Sequence, residues 1–143
     1  MAPVYRAIKE DDDGSPWVSH TVARGLGVRV PHDVEPDDEG VVHPGDGGPS
    51  VCPHPDGIPW FLRGQPTWEL ELNDLPDELA YRDDPGRDDH GFLEPAYPMD
   101  LEDFRELIEG TRDCTRIGTF HDPEHLRPGQ GDARRCGGGR RDP

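Results

Sequence analysis

The sequence predicts an α+β domain made of short strands, a few short helices and long ordered loops. Three observations lead there. Apolar and polar residues alternate with a period of two over residues 4–8, 68–72 and 90–94, the pattern of half-buried strands. A helical stripe of Leu101, Phe104, Leu107 and Ile108 follows the third of these almost at once. Only 31% of the residues are apolar while Gly (18) and Pro (17) are abundant, which keeps each element short. At 143 residues the chain makes one domain, residues 1–120. Residues 121–143, dense in Gly, Pro and Arg and without an apolar period, are expected to form a mobile tail.

In the first strand Val4, Arg6 and Ile8 share one face, and Tyr5 and Ala7 the other. An arginine there either offers a rigid charged fork to a cleft or snorkels from an edge towards an aspartate. Asp11 to Pro16 reads as a turn. Ser19 is placed to cap a short helix carrying Val22, Ala23 and Leu26, which Gly25 and Gly27 would end. Val28, Arg29 and Val30 read as a brief strand before Pro31. A long loop follows, and a loop of that length in a small domain is either functional or disordered.

Gly47 and Gly48 end the loop and allow close backbone approach, and the Ser50 hydroxyl just after them both donates and accepts. A strand is expected near residues 58–62. In residues 68–72, Trp68, Leu70 and Leu72 face the core while Glu69 and Glu71 face water. Residues 80–82 form a further strand that runs into an acidic hairpin. His90, Phe92 and Glu94 then share one strand face, and Pro95 stops the strand. A histidine and a glutamate side by side on a strand backed by a helix can wall a pocket, or can be two solvated residues of an edge. Asp100 is the N-cap of the helix, with Met99 and Phe104 as a hydrophobic staple and Gly110 as its end. Residues 115–120 make a last strand.

The net charge of −16 disfavours a sequence-reading nucleic-acid binder and a ligand of anionic membranes. Its acids fall in short runs along the chain, the composition of solvated loop faces. No apolar run has the length of a signal core or a membrane span, so a cytoplasmic protein is expected. An odd number of cysteines, Cys52, Cys114 and Cys136, argues for reduced thiols. Cys52, His54, Cys114, His121 and His125 are conceivable metal ligands, but they include no CxxC pair, and no metal is expected.

The assembled motifs resemble the small ADP-ribosyltransferase toxins typified by a cytoplasm-acting effector of bacterial type VI secretion. Three blocks carry the resemblance, in that family's order. They are Tyr5-Arg6-Ala7, then Pro31-His32-Asp33-Val34 through Gly40 and Pro44 to Gly47-Gly48-Pro49-Ser50-Val51, then His90-Gly91-Phe92-Leu93-Glu94-Pro95-Ala96-Tyr97-Pro98-Met99. The resemblance implies a split, mixed or antiparallel sheet around an NAD-type cleft, with NAD as substrate and ADP-ribose passed to an unknown acceptor. An immunity protein would be a conceivable partner. Arg6, Ser50 and His90 match family positions, whereas Pro49 replaces a threonine.

The chemistry is compatible with these residue types. Breaking the nicotinamide–ribose bond passes through an oxocarbenium-like state that a carboxylate stabilises, which suggests Glu94. The diphosphate needs a cation, for which Arg6 comes first and Arg29 second. Ser50 and His90 would hold ribose hydroxyls or the nicotinamide amide, and Tyr97 or Phe92 would stack on its ring. NAD hydrolysis and a non-catalytic acidic interaction protein are the rival readings.

Overall fold

The structure, a computed structural model, describes residues 3–58, 62 and 64–118. Among the described residues, eight short strands and one α-helix form an α+β fold with three small antiparallel sheets. β1 (Pro3–Ala7) pairs with β4 (Thr67–Glu71), which pairs in turn with β8 (Thr115–Gly118). β3 (Ser50–Val51) and β5 (Leu79–Asp83) flank β6 (Gly91–Pro95), and β2 (Val41–Val42) pairs with β7 (Met99–Asp100).

Helix α1 (Leu101–Gly110) starts where its stripe and cap predict, at Asp100, although the Asp100 side chain makes no capping hydrogen bond. Phe104 and Ile108 are wholly buried, and Leu101 and Leu107 pack at the margin of the same core. Full burial of a phenylalanine contributes roughly 2–3 kcal/mol. Gly110 does not reverse the chain, because the helix tightens directly into a 3-10 turn, Thr111–Cys114. Met99 joins Phe104 in the core, as the staple requires.

One apolar cluster joins the sheets, with Val4, Ile8, Val28, Trp68, Leu70, Leu93 and Phe104 among its members. The indole N–H of Trp68 donates to the Ile8 carbonyl at 2.7 Å, so burying it leaves no orphan donor.

Two predicted elements are absent. The segment from Ser19 to Leu26 is a folded-back loop, not a helix, with an isolated bridge between Val18 and Leu26. Gly25 and Gly27 pass so close to Ser19 that neither position has room for a Cβ, so they shape this loop and do not end a helix. Val28 and Arg29 belong to no strand, and Val30 lies in a turn. Ile58 lies in a bend after a 3-10 turn, Pro55–Gly57, and most of the strand expected beyond it lies outside the described residues. The expected tail, from His121 on, lies outside them too.

Candidate functional site

Backbone geometry brings the first strand to the glycine-rich turn. Gly48 lies flat against the Leu93 carbonyl, with no room for a Cβ, and Leu93 N–H donates to Pro49 O at 3.0 Å. That contact sets the register in which Ser50 opposes Phe92 and Val51 opposes Gly91. The chain then reaches β1, where Tyr5 and Cys52 exchange backbone hydrogen bonds of 2.7 and 2.8 Å. Two separate sheets are thereby stitched at one point, and a cleft opens beside the stitch.

Arg6 spans this junction. Its Nη1 donates to Ser50 O at 2.8 Å, and its Nη2 to Gly25 O at 3.0 Å and Ala23 O at 3.4 Å. Its Nε is buried with no partner, as is the Nε of Arg29. Burial lowers the Arg6 pKa, and Asp33 acts in the opposite sense. A guanidinium stays charged under such a shift, so the cleft wall keeps a fixed cation.

The cleft has a volume of about 170 Å³. Its floor is a small apolar cluster of Ala7, Cys52 and Ile58, with Tyr5 and Leu62 at the margin. Its polar walls are Arg6, Arg29, Arg87, Ser50 and His90. In a chain of net charge −16, no aspartate or glutamate is among the described residues that line it. The carboxylates stand one layer back. Asp33 accepts from Arg29 backbone N–H at 2.8 Å and from its Nη2 at 3.4 Å. Asp84 Oδ2 lies 2.8 Å from His90 Nδ1, and Asp89 lies 3.9 Å from Arg87. Hydrogen bonds from Gly86 N–H and from His90 hold the Asp84 carboxyl below the usual carboxylate range. Burial, and then Glu69, push the Tyr5 hydroxyl above its ordinary value.

Four predicted site residues, Arg6, Arg29, Ser50 and His90, therefore meet on one cleft, though they come from different parts of the chain. Glu94 does not join them. Strand parity holds, since His90 and Phe92 rings meet edge to face at 4.9 Å and Arg82 stacks on Phe92 at 5.0 Å. Farther along that face Glu94 Oε1 accepts from Arg82 Nε at 2.8 Å and from Gly45 N–H at 2.9 Å, which ties the long loop to the sheet. With Phe92 held between His90 and Arg82, and Tyr97 exposed beside α1, neither of these rings lines the cleft.

Sequence reasoning did not bring Arg87 or Cys52 to this cleft. Arg87 was submerged in an acidic run, and the one available signal was a lone cation between two aspartate pairs. Cys52 arrives through its bridge to Tyr5, a pairing that no local pattern announces. Burial raises its thiol pKa, with the Asp89 carboxylate acting in the same direction, so it lies in the cleft as a neutral thiol and not as a nucleophile.

The expectation of reduced thiols holds for Cys52, which is free, and fails for Cys114, which is disulfide-bonded with its partner outside the described residues. No group of His, Cys, Asp and Glu suited to a metal ion occurs among the described residues. Among them, no helix is long and apolar enough to cross a membrane. No protein-family model, curated protein or solved structure matches this chain.

Proposed function

We propose that this chain is a toxin-type ADP-ribosyltransferase that binds NAD in the cleft beside β1 and passes ADP-ribose to an unknown cellular acceptor. The observation that carries this reading is the convergence of Arg6, Arg29, Ser50 and His90 on a cleft with no acid among its described lining residues, in a strongly acidic chain. Such a cavity attracts an anion through its walls and a planar ring through its floor. A dinucleotide offers both. The volume of about 170 Å³ is below the roughly 300–1,000 Å³ of sites that enclose a drug-sized ligand, so it suits one end of NAD while the rest lies along the rim.

In this reading Arg6 and Arg29 face the diphosphate, and Ser50 and His90 hold ribose hydroxyls. The bond between the nicotinamide nitrogen and the anomeric carbon breaks, its electron pair leaves with nicotinamide, and the positive charge that develops on the ribose is quenched when a nucleophile of the acceptor bonds to that carbon and releases its proton to water. Two polar relays set negative charge just behind the cleft wall, Asp84 through His90 and Glu69 through Tyr5. Glu94, already engaged by Arg82 and Gly45, serves as a brace.

A second reading draws on the lack of a carboxylate among the described lining residues and on Pro49 in place of a threonine: the cleft binds a phosphate-bearing ligand without turning it over. Calorimetric titration with NAD, run beside a nicotinamide-release assay with labelled NAD, separates the cases. Binding with release and a labelled macromolecule supports the transferase. Release without label points to hydrolysis by water, and binding without release favours the second reading. An absence of any binding would sink the proposal.

A further inference from the structure

A larger cavity lies elsewhere, along the outer side of α1. It has a volume of about 660 Å³ and shares no lining residue with the first. Five carboxylates line it, those of Glu78, Asp103, Glu106, Glu109 and Asp113, against a single cation, Arg112. Glu109 pairs with His20 at 2.6 Å, while the other four have no ion pair among the described residues. Apolar surface accompanies the charge: Tyr97 is 51% exposed, and Leu107 and Met99 line the same cavity. An exposed tyrosine face among unpaired carboxylates suits guanidinium groups, which stack on the ring and fork onto the acids.

We propose that this groove is the docking site of the chain's own arginine-rich stretch, residues 127–141. The charge asymmetry of the sequence supports it: ten basic and twenty-nine acidic residues precede Arg127, whereas residues 127–141 hold five arginines and one aspartate. Reach is sufficient. The 3-10 turn that carries Arg112 and Asp113 at the groove leads into β8, whose last residue is Gly118. Eight residues lie between Gly118 and Arg127, and the nine Cα-to-Cα steps span up to roughly 30 Å when extended. Cys114, which closes that same turn, is disulfide-bonded to a residue beyond the described ones, a covalent tie at the groove's edge. The tether turns weak exposed ion pairs into an intramolecular event at high local concentration.

The test is trypsin cleavage after Arg134, Arg135 and Arg140 in the oxidised full chain at low salt, followed by mass spectrometry. A local concentration on the order of 1 mM against an intrinsic Kd of roughly 0.1 mM gives about tenfold protection. The combined variant Asp103→Asn, Glu106→Gln, Asp113→Asn, exposed at all three positions, should lose that protection. The unaltered chain should lose it in about 1 M salt, where screening acts over only about 3 Å and no substitution can disturb the fold. Equal cleavage rates in parent and variant at low salt overturn the proposal. Protection that fades on dilution overturns it too, because the groove would then hold the stretch from a second copy.

Discussion

Replacing Glu94 separates a brace from a catalyst. Its carboxylate is 9% exposed as a residue and takes both Arg82 Nε and Gly45 N–H on one oxygen. Glu94→Ala leaves the glycine donor without its acceptor beside a guanidinium whose side chain is one-third exposed and can recruit water. A hydrogen bond to a charged group contributes about 1.5–3 kcal/mol, and rehydration of Arg82 places the loss near 2 kcal/mol. In a domain of this size that lowers Tm by roughly 6–10 °C. Glu94→Gln keeps an acceptor for Gly45 and loses the charge, for about 1 kcal/mol and roughly half that shift. Thermal unfolding followed by circular dichroism reads the stability, and nicotinamide release at 25 °C, where both variants remain folded, reads the chemistry. A brace lowers Tm in that order and leaves turnover within about twofold. An unchanged Tm with a turnover drop of about a hundredfold would refute this account and make Glu94 a stabiliser of the transition state.

Further outcomes follow from the same geometry. His90→Ala should weaken NAD binding or turnover by at least about tenfold while Tm moves by only a few degrees, since a cleft-lining polar side chain contributes little core area; parallel titration and melting check this. Gly48→Ala drives a Cβ into the Leu93 carbonyl and should cost about 3 kcal/mol or more, read as a lowered denaturant midpoint; a near-parental midpoint would show that the β3–β6 register is not set there. Asp84 has a folded pKa below its unfolded value, so its contribution is present above about pH 4 and is lost as pH falls through the lower folded value. Asp84→Asn should therefore flatten the acid limb of the stability curve, and an unchanged limb would count against the Asp84–His90 contact.

β1, β4, β6 and α1 were legible because each is long enough to carry a period, whereas β2 and β7, of two residues each, show none. Val4 and Ile8 enter the main core while Ala7 and Tyr5 join the smaller cluster, as parity requires, and Phe104 and Ile108 fall on the buried side of α1. The segment after Ser19 misled because Val22, Ala23 and Leu26 mimic a short helical stripe, while the close passage of Gly25 and Gly27 past Ser19 is a tertiary constraint with no local trace. At the cleft, residue type and order pointed to Arg6, Arg29, Ser50 and His90. For Glu94 the face was right and the destination was not, because parity says which side a residue takes and nothing about what lies against it. There Arg82 from the neighbouring strand and Gly45 from the loop had already filled the space.

The three carbonyls held by Arg6 bear on how a genetic survey of this chain will read. The guanidinium joins β1 to Ser50 and to the fold-back at Ala23 and Gly25, so a substitution there releases three stretches of backbone at once. A screen that scores loss of activity will therefore return Arg6 whatever ligand the cleft receives, and a lysine, with one nitrogen, will not rescue it. His90 is the more informative allele. It lines the same cavity and meets its neighbours through one carboxylate and one ring edge, so a phenotype there reports on ligand more than on assembly.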